Sequence, residues 1–421
     1  MAYVPVAFIL AGMTAYTVLA GADFGAGLWT LLAVGGSAGA RRIRDEARHA
    51  MGPVWEANHV WLVFVLVVAW TAYPVAYGSI TSTLAAPLLI AAIGIIFRGA
   101  AYALRGVADG SRVAEYLFAL SSVLTPFALG TAIGAIAVGR VPVGNAAGNP
   151  LTSWLNPASV LIGALAVVFS GYLAAVYLAA DSLRHEGGAR RALADAFRRR
   201  ALAAGLISGA LALAGLLVMR HSGLNLTHGA ALALVCVSAA AGLATLLLCW
   251  RYRFELARVT AALAVAAVVV GWAAGQAPRF LPGLTVTAAA ASRSTLVALV
   301  IAVACGAVVL VPSLALLFSL YLRGRLDTPE QAAAEDSVSV ATSAFTANGV
   351  EAAEGTARAA GVVEGAAAAS SAVRVRCGAA GAGLLAGSGL LVFADAGWAH
   401  LVGVACLVLC AVCVFRLTAT D

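Results

Sequence analysis

The chain has very little charge for its length. Only 11% of its 421 residues are charged and 62% are hydrophobic, whereas a soluble domain carries about 25% charged residues. Lysine is absent, so all 26 basic residues are arginine. This composition predicts an integral membrane protein. Its apolar runs of about 20 residues favour a polytopic, all-α transmembrane bundle over the alternating strands of a membrane barrel.

Sequence signatures of several other function classes are also missing. The chain contains no G-x-x-x-x-G-K-[ST] loop and no dinucleotide fingerprint, so ATP-driven and NAD-linked functions have no support. The first residues carry no basic segment before the first apolar run, and we therefore expect no cleaved signal peptide. The net charge of +7 is spread over loops, which indicates membrane topology and not nucleic-acid binding.

Metal ligands are scarce within the predicted spans. Of six histidines, only His59 lies inside a main span, while His228 is at the end of one, so a bis-histidine haem within this chain is not expected. Glu46 with His49 and Glu56 with His59 have the E-x-x-H spacing of di-iron bundles, but the glutamates required from two further helices are missing. The seven cysteines form no disulfide framework and are interpreted as small apolar residues. We therefore predict no metal site.

Nine main apolar spans can be read from the sequence. They lie near 4–33, 54–77, 82–104, 114–138, 159–181, 201–219, 227–250, 257–275 and 294–322. A polar, alanine-rich tract and two shorter apolar runs follow. We predict a transmembrane domain over 1–325, a cytoplasmic linker over 326–376 and a two-helix transmembrane hairpin over 377–421.

The placement of arginine predicts the orientation of these spans. Arginines concentrate in every second connection, after spans 1, 3, 5, 7 and 9. The alternate connections contain only Arg140, Arg220, Arg279 and Arg293. Because short cytoplasmic loops carry the excess of basic residues, we predict that the N-terminus lies outside and that the arginine-rich connections face the cytoplasm.

Polar residues inside the first three spans mark the candidate functional site. Asp23 lies in span 1, Glu56, Asn58 and His59 open span 2, and Arg98 lies in span 3. A helix rises about 1.5 Å per residue, which places the four ionisable groups in the cytoplasmic half of the membrane. Such groups suit either a short proton path from the cytoplasm or buried ion pairs, for example Asp23 with Arg98, that hold helices together. The residues alone leave both interpretations open.

Small and aromatic residues surround these groups. Gly21 and Gly25 form a G-x-x-x-G pattern, which allows two membrane helices to approach closely. Trp55 and Trp61 flank the polar residues of span 2 and are typical of packing or interfacial aromatics. Glu56 near the start of a helix is also favoured by the helix dipole alone.

Two of these segments closely resemble subunit II of cytochrome bd-type quinol oxidases. Residues 21–29, GADFGAGLW, are similar to the first-span motif of that family, and residues 52–62, GPVWEANHVWL, to its second-span motif. Three further segments resemble the family less specifically: 70–74, 97–105 and 310–318. The resemblance extends over roughly residues 1–325.

The resemblance implies a function in the respiratory chain of a bacterial plasma membrane. In that family, subunit II carries no haem and pairs with a larger subunit I, which holds haem b and haem d. The complex oxidises quinol, reduces O2 to water and takes the protons from the cytoplasm. The carboxylate of the second-span motif, which belongs to the proton path, falls on Glu56, and the acid of the first-span motif falls on Asp23.

The sequence departs from the family pattern at two positions. The family often has an aspartate three residues before the position of Asp23 and a glutamate in its third-span motif, where this chain has Ala20 and Ala103. We therefore expect that Glu56, His59 and water carry more of the proton path here. The alternative function is a stand-alone proton-coupled transporter, which would be built from inverted repeats and broken helices. A purely structural subunit without a proton path is the third possibility.

Overall fold

A computed structural model describes residues 1–33, 38–51, 55–103, 112–184, 188–219, 224 and 226–322. For some helical residues, among them Trp55 and Glu56, only the backbone is described. The predicted linker 326–376 and the predicted C-terminal hairpin 377–421 lie outside the described residues.

The described residues are almost entirely helical, as the composition predicts. The helices are α1 (Val4–Leu32), α2 (Ala38–Met51), α3 (Trp55–Ala72), α4 (Pro74–Thr83), α5 (Ala85–Ala103), α6 (Arg112–Ala137), α7 (Pro157–Arg184), α8 (Gly188–Met219), α9 (Gly229–Trp250), α10 (Phe254–Gln276), α11 (Val286–Ala289) and α12 (Arg293–Leu322). A short antiparallel hairpin of β1 (Arg279–Leu281) and β2 (Leu284–Thr285) follows α10.

The chain divides into two compact units. Among the described residues, Met1–Leu296 belong to the first and the residues from Val297 onward belong to the second. Of the second unit, the structure describes 297–322, the helical continuation of α12. All the contacts discussed below lie in the first unit.

Helix length and composition confirm a multi-pass membrane protein. Among the described residues, seven helices are long and apolar enough to cross a membrane, and α4 with α5 adds an eighth if this pair, bent by 81°, is a single span. The described apolar part of α3, Asn58–Ala72, is shorter. Each of the nine predicted apolar runs overlaps a helix of the structure. The exact number of spans and the outside location of the N-terminus stay predictions.

Two predicted boundaries were wrong. Span 2 was expected to continue to residue 77, but α3 ends at Ala72. Pro74 lacks an N–H and disfavours helical geometry at Tyr73, and α4 therefore starts separately. The arginine-rich segment after span 5 was expected to be a connection, but α8 already begins at Gly188. Arginine and alanine are good helix formers, so Arg198 is helical and not part of a loop.

Small residues allow α1 to pack into the centre of the first unit. Its main apolar core combines residues of α1, α2, α7, α8, α9 and α10. Gly25 is required for this packing, because a Cβ at that position would lie 1.8 Å from the carbonyl oxygen of Ser170 on α7. The predicted G-x-x-x-G pattern thus faces α7, with Gly21 close to Leu173.

The two ends of the first unit differ in their contacts. At the end where α1 leads into α2, Arg44 donates a hydrogen bond to the carbonyl oxygen of Ala33 (2.6 Å), and we call this the arginine-rich end. At the opposite end, the Tyr73 hydroxyl donates to the carbonyl oxygen of Ala2 (2.5 Å). The connection after α6 also packs there, since the Gly144 N–H donates to the Ser79 hydroxyl (2.9 Å).

Candidate functional site

Asp23 and Arg98 form a fully buried ion pair between α1 and α5. Their side chains are 1% and 0% exposed. Arg98 Nε donates to Asp23 Oδ2 (2.8 Å) and Arg98 Nη2 donates to Asp23 Oδ1 (2.7 Å). Nη2 also donates to the Asp23 carbonyl oxygen (2.5 Å). The planar guanidinium thus holds both carboxylate oxygens and the backbone of α1, which makes the pair a rigid link between two helices.

The same guanidinium extends this link to α6. Arg98 Nη1 donates to the hydroxyl of Ser122 (2.8 Å), and Ser122 in turn donates to the Phe118 carbonyl oxygen (2.8 Å). The rings of Phe24 and Phe118 lie 4.8 Å and 4.3 Å from the guanidinium carbon. Hydrogen bonds and cation–π contacts together compensate the desolvation of the charge. We call Asp23, Arg98 and Ser122 the ion-pair clamp.

The residues of the first-span motif divide between two faces of α1. Gly27 faces the clamp, because a Cβ there would lie 1.9 Å from Ser122 Oγ and 3.2 Å from Arg98 Nη1. Trp29 is fully buried and its indole N–H donates to the Gly171 carbonyl oxygen on α7 (2.8 Å). The motif therefore places α1 against α7 on one side and against the clamp on the other.

A second group of polar side chains lies where α1 meets α3. Asn58 is completely buried, and neither amide atom makes a hydrogen bond within the described part of the chain. Tyr16 is 8% exposed, and its hydroxyl also makes none there. The ring of His59 contacts the Tyr16 ring edge-on, with centroids 6.4 Å apart. We call Tyr16, Asn58 and His59 the α1–α3 polar cluster.

The remaining predicted site residues take different positions. Trp61 packs against the small apolar cluster of Tyr16, Ala20 and Phe24. Ala20, where the family often has an acid, is 1% exposed. Trp55 and Glu56 lie in the first turn of α3, but their side chains are outside the described residues. The structure therefore joins Asp23 with Arg98, and places Asn58 and His59 on the helix that carries Glu56.

Sequence reasoning missed two groups at the arginine-rich end. Arg258 of α10 donates to Asp181 of α7 and to the Tyr177 carbonyl oxygen (2.9 Å), and neither Arg258 nor Asp181 was among the predicted site residues. Arg200 is 1% exposed, and its guanidinium carbon lies 5.7 Å from the centre of the Trp29 ring. The signal for both was available, since a charged residue within or beside an apolar run needs a partner.

At the same arginine-rich end, the titratable surface residue Tyr252 contacts side chains of α8. The Tyr252 hydroxyl, in the connection between α9 and α10, donates to Asp195 Oδ1 (2.7 Å). This hydrogen bond to a carboxylate raises the pKa of the Tyr252 hydroxyl above its usual range. Arg198 contacts the face of the same ring at 4.5 Å. These contacts hold α8 to the start of α10 and involve no apparent catalytic chemistry.

Potential metal ligands do not cluster among the described residues. Among the described residues, no group of three or more His, Cys, Asp or Glu side chains is close enough together to hold a metal ion. The described free cysteines, Cys236, Cys249 and Cys305, lie in separate positions on α9 and α12. The described site therefore contains a buried ion pair and a set of polar hydrogen-bonding side chains.

Comparisons with known proteins agree on one family. Residues 1–321 match the family described as cytochrome bd terminal oxidase subunit II. A 115-residue stretch is 31% identical to cytochrome bd ubiquinol oxidase subunit 2 of Bacillus subtilis (strain 168). This stretch is 27% of the present chain and spans only a third (33%) of that relative's length. The structure of bd oxidase from Geobacillus thermodenitrificans has the same fold, with a TM-score of 0.58 and 22% identity over 76% of this chain and 98% of that chain.

Proposed function

Since the chain belongs to the cytochrome bd terminal oxidase subunit II family, we propose that it is a haem-free subunit of a quinol:O2 oxidoreductase. It pairs with a haem-bearing subunit I, and the heterodimer lies in a bacterial plasma membrane among lipids. Haem b, haem d and the quinol and O2 substrates are assigned to the complex, where the haems supply the electron-transfer and O2 chemistry. This chain scaffolds its partner and delivers protons from the cytoplasm.

The ion-pair clamp supports the scaffold part of the proposal. It ties α1, α5 and α6 together, while the first-span motif fixes α1 on α7. Both oxygens of Asp23 already accept hydrogen bonds from Arg98, so protonating Asp23 would disrupt two charge-assisted bonds. We assign Asp23 to positioning the helices and not to carrying protons, although it occupies a motif position of the predicted proton path.

The α1–α3 polar cluster supports the proton-delivery part, and the complete burial of Asn58 is the observation that carries it. A buried carboxamide without a protein partner is costly in an apolar bundle, so its presence needs a functional reason. Glu56 lies two residues earlier on α3. We propose that Glu56 receives protons at the cytoplasmic side and that Asn58 and His59 continue the path.

We also propose that the functional domain covers 1–325. The family match ends at residue 321, which supports a boundary close to the end of α12. The alanine-rich linker 326–376 and the transmembrane hairpin 377–421 are then additions to the family domain.

One purification tests the proposal. The protein is isolated from its native membrane through an affinity tag, and the reduced-minus-oxidised absorption spectrum of the product is recorded. We expect a second, larger polypeptide and the bands of haem b and haem d. A single haem-free chain would contradict the oxidase function and favour the stand-alone transporter. Separate expression of the tagged chain without its partner is the control, and it should give no haem bands.

A further inference from the structure

Two buried side chains between α1 and α3 have unused hydrogen-bonding capacity. The amide of Asn58 offers two donors and a carbonyl acceptor, and the hydroxyl of Tyr16 offers a donor and an acceptor. None of these atoms has a hydrogen-bond partner among the described residues, and each is shielded from solvent. We propose that α1 and α3 enclose a site for ordered water, bounded by Tyr16 and Asn58 and flanked by His59.

The packing of the two helices places these groups at neighbouring heights. A Cβ at Gly12 of α1 would lie 2.7 Å from Val65 Cγ2 of α3, and Tyr16 contacts His59. The two helices therefore run antiparallel. Asn58 lies seven positions before Val65 on α3. Because the helices are antiparallel and rise equally per residue, the matching position on α1 lies seven residues after Gly12, at Leu19. Asn58 is therefore level with Leu19 and Ala20.

The small side chain at Ala20 makes room for this water. Ala20 is followed one turn later by the bulky Phe24 and preceded one turn earlier by Tyr16, and all three belong to one apolar cluster. The methyl group of Ala20 cannot form a hydrogen bond with a carboxamide at its height, whereas one bridging water typically makes about three hydrogen bonds to buried polar groups. Burying the amide with no partner would cost about 1–3 kcal/mol. The polar atoms of Tyr16 and Asn58 that line the site therefore favour water as its occupant.

The site also has a consequence for proton delivery, and this consequence rests on the proposed function. A chain of waters transfers a proton when each oxygen forms an O–H bond to the arriving proton and breaks another O–H bond to pass a proton to the next acceptor, so every water keeps two O–H bonds. Tyr16 and Asn58 can hold such water beside His59, at the height of Ala20, whose side chain cannot exchange protons. The water site would thus supply a hydrogen-bonded relay at this height.

The first experiment looks for the water directly. A high-resolution cryo-EM map of the purified complex should contain ordered solvent density within hydrogen-bonding distance of Tyr16 Oη and the Asn58 amide. The map of Asn58→Leu, in which an apolar side chain of similar size replaces the carboxamide, should lack it. The water site is wrong if the wild-type map instead has Asn58 bonded directly to a protein atom and no solvent density.

The second experiment measures proton delivery in the same complex. We expect Asn58→Leu to lower quinol-driven O2 consumption about tenfold, the effect of losing roughly one hydrogen bond's worth of stabilisation. Tyr16→Phe should have a similar but smaller effect, and the solvent isotope effect of both variants should rise. Tyr172→Phe is the control, because Tyr172 is likewise buried (3% exposed) but lies on α7.

The outcomes separate the two proposals. Solvent density together with slower turnover in Asn58→Leu and unchanged turnover in Tyr172→Phe supports the relay. Solvent density with wild-type turnover in Asn58→Leu contradicts the relay and leaves a structural water. Absent density, combined with slow turnover in Glu56→Gln, contradicts the water site while the proposed proton delivery stands.

Discussion

Two of the acid–arginine pairs between described residues connect different helices of the first unit, and they differ in their access to water. Asp23 and Arg98 join α1 to α5 with side chains that are 1% and 0% exposed. Asp181 and Arg258 join α7 to α10 with side chains that are 28% and 18% exposed. The first pair is surrounded by two phenylalanine rings and a serine, whereas the second lies at the arginine-rich end beside the connection between α9 and α10.

This difference in burial determines how much each pair can contribute to the stability of the helix packing. A buried charge that loses its partner keeps its desolvation cost, so breaking a buried pair is far more damaging than the pair's net stabilisation suggests. A partly exposed charge that loses its partner is solvated by water instead. The buried pair is therefore indispensable once present, while the exposed pair adds modestly to helix packing. Four substitutions test this comparison.

The largest effect is expected for Asp23→Asn. The substitution keeps the shape of the side chain but removes the negative charge that accepts two hydrogen bonds from the buried Arg98 guanidinium. We expect the free energy of unfolding to fall by about 3–5 kcal/mol. The measurement is thermal unfolding of the detergent-solubilised complex, together with the yield of complex on purification.

A double substitution provides the control for this prediction. Asp23→Asn combined with Arg98→Gln removes both charges and should recover most of the lost yield, because no unpaired charge stays buried. Equal complex yield for wild type and Asp23→Asn would contradict the clamp function of the pair.

Glu56→Gln should affect turnover and not assembly. The variant cannot release a proton from this side chain, and we expect O2 reduction to slow on the order of a hundredfold. Complex yield and thermal stability should stay close to wild type, in contrast to Asp23→Asn. The measurements are O2 consumption with added quinol and purification yield from the same membranes. Wild-type turnover in a fully assembled Glu56→Gln complex would show that the proton path does not use this residue.

Gly27→Ala tests how closely α1 must approach the clamp. Its Cβ would lie 1.9 Å from Ser122 Oγ, so Ser122 must move and its hydrogen bond from Arg98 is lost. We expect a destabilisation of about 1–3 kcal/mol, as for other overpacked sites. Gly209→Ala on α8 is the matched control, since its Cβ would contact nothing within 4 Å. A stable Gly27→Ala complex with an intact bond between Arg98 and Ser122 would contradict this packing argument.

Much of the fold follows from hydrophobic length alone. A run of about 20 apolar residues has the length with which a helix crosses a bilayer, whereas a strand crosses with about 9–11 residues. Each predicted run overlaps a helix in the structure. The break at Tyr73 was not predicted, although Pro74 follows it in the sequence, because the run of apolar residues continues on both sides of the break. The helical start of α8 was missed for the opposite reason, since arginines beyond the membrane boundary interrupt the apolar pattern but not the helix.

The candidate site was predictable only in part. The free-energy cost of charged groups in lipid indicated that Asp23 and Arg98 form a pair. The sequence could not decide whether these residues form an ion-pair clamp or belong to a proton path. The bidentate geometry favours the clamp. Tyr16 carries no charge and belongs to an ordinary apolar run, so nothing in its sequence context indicated that its hydroxyl lies buried beside His59. Such a position depends on the register between helices, which hydropathy does not contain.

Asp181→Asn should have the smallest effect of the four substitutions. Arg258 would keep its hydrogen bond to the Tyr177 carbonyl oxygen (2.9 Å), and water can reach the guanidinium. We expect a loss of about 0–1 kcal/mol in unfolding free energy, and the difference from wild type should shrink in high salt, because exposed charges are screened. The same unfolding assay at low and high salt measures both quantities. A loss as large as that of Asp23→Asn, or one independent of salt, would mean that burial does not distinguish the two pairs.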